Sequence, residues 1–182
     1  RGAVAGGVPA EAGVCEVLHW PTGKSLCRIS GQDDVIYGVA WAADSSRIAV
    51  ASMDATVVVA SLRPASDDLS ESTEGEAEMA QLEVDGREKL TGHSKGVLAV
   101  CFLPDTSYLL SAGIDQSIRL WSSESSHYQL TRTFENHTAA VRGLAVRPQQ
   151  PESLPVIASI GEDRTIRFWQ PTIGRLMRFA KL

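Results

Sequence analysis

The sequence predicts an all-β chain of four-stranded antiparallel units, three of them complete and a fourth present as three strands. Three observations predict it: a segment that recurs almost residue for residue, a fixed step between histidines, and short β-branched runs separated by turns. Ser111-Ala-Gly-Ile-Asp-Gln-Ser-Ile-Arg-Leu-Trp121 recurs as Ser159-Ile-Gly-Glu-Asp-Arg-Thr-Ile-Arg-Phe-Trp169. In both, Asp follows Ser by four residues and Trp follows Asp by six. Upstream stand Gly92-His93 and Asn136-His137, a step of 44 residues between histidines, which is the length of one four-stranded repeat.

The elements follow in order. Ala3–Gly7, Val14–Leu18 and Ser25–Ile29 read as the last three strands of a first unit, residues 1–30, with a hairpin turn at Pro21–Lys24. A second, degenerate unit covers 31–91: Gly31-Gln32, strands at Val35–Trp41 and Ile48–Ala51, and a third over Asp54–Ala60. There Gln32 stands for His, Val50 for Ser and Ala60 for Trp, while Asp54 is kept. Its third and fourth strands are separated by an acidic insertion at 63–87, whose composition predicts disorder or a loose helix near Ala77–Leu82. The third unit, 92–135, has strands at Val97–Phe102, Tyr108–Ser111, Ser117–Trp121 and Gln129–Phe134. The fourth, 136–182, has Val141–Val146, Val156–Ile160, Thr165–Trp169 and Arg175–Ala180, with a long loop at Pro148–Pro155 between its first two strands. Several runs are apolar on both faces, as in sheets packed between other sheets. Outside the acidic stretch no segment keeps a helical apolar period for three turns.

Composition narrows the function classes. The chain is 43% hydrophobic and 21% charged, the profile of a globular protein. Residues 67–88 hold nine acids against Arg87, a local charge of −8 that leaves +3 on the rest of a chain of net charge −5. That balance argues against nucleic acid as a partner, since phosphate binding needs a basic field. No apolar run approaches the ~18–20 residues of a membrane span. Cys15, Cys27 and Cys101 form neither a disulfide framework nor a metal-ligand cluster, so reduced, packed thiols are expected, with no metal and no cofactor. They leave the compartment open, with the cytoplasm as the default. His19 and His127 are isolated and read as turn or solvated positions. The chain begins at Arg1 and is read as a fragment of a longer protein.

The paired repeats resemble the WD-repeat family, whose units run Gly-His, inner strand, Ser/Thr strand, turn Asp and a strand ending in Trp. The resemblance covers nearly the whole chain except 63–87; the Asp that follows Trp in the family is replaced by Ser122 and Gln170. It implies a partial β-propeller and two structural hydrogen-bond tetrads, Trp121–Ser111–His93–Asp115 and Trp169–Ser159–His137–Asp163. A Ser, a His and an Asp together also suggest a hydrolase. That reading fails because the set occurs in consecutive repeats and no nucleophile elbow accompanies it.

In the family, partners dock on the face bearing the Gly-His loops. The matching positions are Tyr37, Leu98 and Arg142 at the inner strands and Ala55, Gln116 and Arg164 after the turn Asp. Tyr37, Arg142 and Arg164 are the candidate partner-binding residues, because Tyr and Arg are favoured anchors. The expected function is a non-catalytic scaffold that binds another protein or peptide, with neither nucleic acid nor membrane as partner. The alternative is an accessory propeller portion of a larger enzyme, fused to a kinase, protease or haem domain. A partial ring leaves open sheets at its ends, so the chain alone is expected to be unstable or to aggregate.

Overall fold

The computed structural model describes residues 2–8, 11–20, 22–65, 81–104, 107–123, 127–148 and 153–181. They form fifteen strands in four antiparallel sheets. The first sheet is β1 (Gly2–Val8), β2 (Glu11–Leu18) and β3 (Ser25–Ile29). The second is β4 (Ile36–Trp41), β5 (Arg47–Ser52), β6 (Val57–Pro64) and β7 (Leu82–Leu90). The third is β8 (Val97–Phe102), β9 (Tyr108–Gly113), β10 (Ile118–Ser122) and β11 (Gln129–Phe134). The fourth is β12 (Val141–Val146), β13 (Ile157–Gly161), β14 (Thr165–Gln170) and β15 (Arg175–Lys181). This is the partial propeller: a three-stranded sheet followed by three four-stranded blades, each sheet a simple meander in chain order.

The sheets stack through three apolar clusters. Cys15, Val17 and Ile29 meet Ile48, Val50, Val58 and Ala60 between the first and second sheets. Ala49, Ala51, Val57 and Val59 meet Val97, Val100, Leu109 and Trp121 between the second and third. Leu110, Ala112, Ile118 and Leu120 meet Val141, Ile157 and Trp169 between the third and fourth. Inner sheets are thus apolar on both faces, which is why their strands read as continuous rather than alternating runs. Arg47 also crosses the second seam, with Nη1 donating to the Tyr128 hydroxyl at 2.7 Å. Its guanidinium lies 5.8 Å from both the Phe102 and Tyr128 ring centres.

Two expectations need correction in this region. The acidic insertion is shorter than 63–87, because β6 runs on to Pro64 and β7 already begins at Leu82. Pairing extends to Pro64↔Leu82, and Ala65 N–H donates to the Gln81 carbonyl at 2.8 Å. The expected helix near Ala77–Leu82 ends on a strand residue, and the remainder of that expectation lies outside the described residues. Acidic side chains are compatible with β7 because it is an edge strand: Glu83 and Asp85 both face Arg63 on β6, at 3.2 and 3.6 Å.

Candidate functional site

In the three complete blades, the hairpin between the second and third strands closes on an aspartate. Asp115 Oδ1 accepts the Ser117 N–H at 3.1 Å and the Ser117 hydroxyl at 2.8 Å. Asp163 does the same for Thr165, at 3.1 and 2.8 Å, and Asp54 for Thr56, at 2.9 and 2.6 Å. Those bonds lock the residue between them in the left-handed region: Ala55 at φ 67°, Gln116 at 68° and Arg164 at 59°. For residues other than glycine this conformation is uncommon, and the side-chain bonds across the turn hold it.

The second carboxylate oxygen reaches the histidine. His93 Nδ1 lies 2.8 Å from Asp115 Oδ2, His93 Nε2 lies 2.8 Å from Ser111 Oγ, and Trp121 Nε1 donates to Ser111 Oγ at 2.8 Å. The fourth blade repeats this with His137, Asp163, Ser159 and Trp169 at 2.8, 2.8 and 2.9 Å. Donor arithmetic fixes the protons. A carboxylate only accepts, so Nδ1 carries hydrogen; indole N–H only donates, so the serine hydroxyl accepts it and gives its own proton to Nε2. The arrangement accommodates an imidazole that carries its single proton on Nδ1. Burial pushes His137 down from its ordinary value, against the pull of Asp163, which agrees with that assignment. Burial raises Asp115 and Asp163, but hydrogen bonds from histidine and from Ser117 or Thr165 outweigh it and hold both well below the carboxylate range.

Ser111 and Ser159 are fully buried, and the histidine side chains are 1% exposed. No substrate carbonyl reaches these hydroxyls, so the triad-like set joins strands and turn. The degenerate second blade is wired differently. Gln32 Nε2 donates to the Val50 backbone carbonyl at 2.7 Å and leaves Asp54 without an imidazole. Asp54 keeps the bond from the next N–H, Asp33 at 2.9 Å as Ser94 and Thr138 serve Asp115 and Asp163, and in place of the imidazole faces Lys89 Nζ at 3.5 Å; Lys89 also reaches Asp33 at 2.9 Å.

The three candidate contact residues lie at the end of the sheets where the aspartate turns emerge. Tyr37 is 54% exposed and neighbours exposed Val35. Arg142 is exposed but engaged by Glu162, with Nε to Oε1 at 2.8 Å. Arg164 is exposed at the apex of its turn, whereas Leu98, the position matching Tyr37 in the third blade, is buried at 6%. Sequence reasoning overlooked Ser117, Thr165 and Thr56, although Asp-x-Ser/Thr occurs in all three complete blades. It also overlooked Lys89. His19 Nδ1 meets the Thr22 hydroxyl at 3.0 Å within its hairpin, and His127 stands 3.9 Å from Glu88. Burial pushes the Cys101 thiol up to about 12. Among the described residues no group of three or more His, Cys, Asp or Glu is placed to hold a metal ion.

The repeated architecture has a counterpart in known proteins. The family model for the WD domain, G-beta repeat, matches residues 23–60, 86–122 and 128–170, more than half of the chain. The chain belongs to the WD40 family. Each matched window begins within or just before the outer strand of one sheet and ends in the third strand of the next. A WD40 repeat therefore spans two blades and ties neighbouring sheets covalently. Among curated WD40 relatives, the anaphase-promoting complex subunit cdc20 of Dictyostelium discoideum is 42% identical over 86 residues, 47% of this chain and 17% of that protein. Protein hir1 of Schizosaccharomyces pombe is 25% identical over 147 residues, 81% of this chain and 15% of that protein. Elongator complex protein 2 of Saccharomyces cerevisiae is 30% identical over 86 residues, 46% of this chain and 10% of that protein. The chain spans less than a fifth of the length of each.

Proposed function

We propose that this chain is a non-catalytic interaction scaffold that holds another protein or peptide on the face where its aspartate turns emerge. The observation that carries the reading is the exposure of Tyr37, at 54%, at the same end of the sheets as Arg142 and Arg164. An aromatic ring with two guanidinium groups is the composition of an interface centre. Each anchor sits on a rigid support: Tyr37 and Arg142 start inner strands, and Arg164 is held by the Asp163 turn. Pairing with Glu162 gives Arg142 a fixed direction before a partner arrives, which lowers the ordering cost of binding. Membership of the WD40 family supports the reading, as do relatives whose names place them in complexes, the anaphase-promoting complex and Elongator. The polar sets of the two regular blades serve in it as architecture. Protein or peptide is the partner class; a net charge of −5 disfavours nucleic acid.

Affinity capture with the immobilised chain, quantified by mass spectrometry, tests the reading. Replacing Tyr37, Arg142 and Arg164 together by alanine is expected to cut recovery of the specifically enriched proteins by roughly tenfold or more. Unchanged recovery from a folded triple variant would move the binding face elsewhere.

A further inference from the structure

At the end opposite the aspartate turns, the seam between the second and third sheets opens into a cavity of about 420 Å³. Among the described residues it is lined by Arg47 of β5, Ser61 of β6, Gly86 and Glu88 of β7, and Ser123 and Tyr128 between β10 and β11. The register accounts for the space. Arg47, Ser61 and Gly86 form one row across the second sheet, and the matching row of the third sheet is Tyr108, Ser122 and Gln129. Tyr108 packs into the core between the third and fourth sheets. In the second sheet an arginine stands at that position and a glycine at the outer one. A Cβ on Gly86 would meet nothing within 4 Å, and its φ lies outside the left-handed region. A strand glycine that neither packing nor backbone strain demands leaves room for another backbone to approach.

The polar groups of the cavity wall are mostly donors. Arg47 Nη1 donates to the Tyr128 hydroxyl at 2.7 Å and to Ser123 Oγ at 3.4 Å, which fixes the guanidinium in place. A guanidinium carries more N–H donors than two bonds use, and the Ser61 hydroxyl supplies another. Glu88, the acid of the lining, is already engaged. Its Oε1 accepts the Tyr128 N–H at 2.7 Å, and its Oε2 stands 3.9 Å from His127 Nδ1 at the rim. Arg87 also borders the space, with Nη1 turned to the Ser30 carbonyl and hydroxyl at 3.2 Å. Asp44, close enough to feel the Arg47 charge, accepts the Ser46 N–H at 3.0 Å. The group that complements such a wall is a charged acceptor.

We infer that this cavity is a binding site for an acidic side chain of a partner peptide, its carboxylate or phosphate held by the Arg47 guanidinium and the Ser61 hydroxyl. Charge-assisted bonds to guanidinium are strong, and one already held by Tyr128 loses little freedom in making them. The volume accommodates a side chain together with the backbone that carries it, rather than a bare ion. Gly86 lets that backbone pass close to β7, an outer strand, with no side chain between. The site lies at the opposite end of the sheets from Tyr37, Arg142 and Arg164, so it stands whether or not the aspartate-turn face binds a partner.

The test follows fluorescence polarisation of dye-labelled peptides Ala-Ala-X-Ala-Ala, with X as Glu, phosphoserine, Gln or Ser, added to the full chain. The Glu or phosphoserine peptide is expected to bind saturably, at least roughly tenfold more tightly than its neutral counterpart. Gly86→Gln copies Gln129 of the third sheet into the open space. It is expected to weaken binding at least roughly tenfold and to leave the denaturation midpoint in place. Arg47→Gln should weaken binding equally; because Arg47 also braces the seam, Gly86→Gln decides if that variant unfolds. Arg164→Ala should leave the affinity within about twofold. Equal affinity for acidic and neutral peptides, no saturable binding of either acidic peptide, or unchanged binding by the Gly86→Gln chain would each overturn the proposal. So would inorganic phosphate that competes as well as the phosphoserine peptide, because the site then takes a free anion. Loss of binding in Arg164→Ala would also overturn it, by placing the peptide on the aspartate-turn face.

Discussion

Ser111 and Ser159 each hold one hydroxyl between an imidazole and an indole, so their loss leaves two buried partners unsatisfied. Ser111→Ala or Ser159→Ala is expected to cost about 1–3 kcal/mol in urea denaturation. Ser94→Ala, at an exposed residue whose backbone N–H alone serves Asp115, should stay within about 0.5 kcal/mol. If the buried and exposed alanines behave alike, the chains Trp–Ser–His–Asp do not hold the blades. The spacing Ser, four residues, Asp, six residues, Trp made the repeat legible, and the resemblance to the WD-repeat family implied how its side chains pair with the histidines. The hydroxyl two residues after Asp is equally plain in the sequence, but its role depends on the turn geometry that brings it back onto the carboxylate. Arg142 shows the opposite limit, because its pairing with Glu162 on the far side of a long loop depends on the register of β12 against β13.

At the level of the element, the second blade has a partly solvated ionic clamp where the regular blades have a buried hydrogen-bonded one. Gln32 satisfies the backbone of Val50, and the Asp54 carboxylate, only 8% exposed, faces Lys89 from the outermost strand. Lys89 is 39% exposed, so its two ion pairs feel salt in a way that His93 and His137 do not. Lys89→Gln is expected to lower stability by about 0.2–1 kcal/mol at low ionic strength, a difference that shrinks toward zero near ~1 M salt. A salt-independent loss would mean that Lys89 acts through packing. The substitution of Gln32 for His was plain in the sequence, but its compensation was not. Lys89 stands 35 residues beyond Asp54, across an insertion that hides the register of β7. Strand positions, by contrast, were read to within a few residues, because β-branched runs bounded by turns carry their own limits.

For the whole molecule, the acidic insertion is a question of chain entropy. β6 and β7 pair up to Pro64↔Leu82, with one more bond from Ala65 to Gln81, so residues 66–80 connect the two ends of a finished hairpin. Replacing 66–80 by Asn-Gly is expected to raise stability by about 1–2 kcal/mol, the entropy of closing the longer loop. A loss on thermal or urea denaturation would show that the segment packs against the blades. The start of β7 at Leu82 was not legible, since a run of acids reads as solvated until an edge strand opposite Arg63 is known.

The polar sets close within single sheets, whereas the apolar clusters bridge neighbouring sheets, and four sheets in a row share three seams. Such a molecule behaves as a short row of coupled units, in which an interior unit is braced on both sides and a terminal unit on one. Opening then travels inward from either end, as a zip does. The amides of β8 and β9 should be the last to exchange with deuterium, and the native state is a gradient of fraying rather than a single closed door.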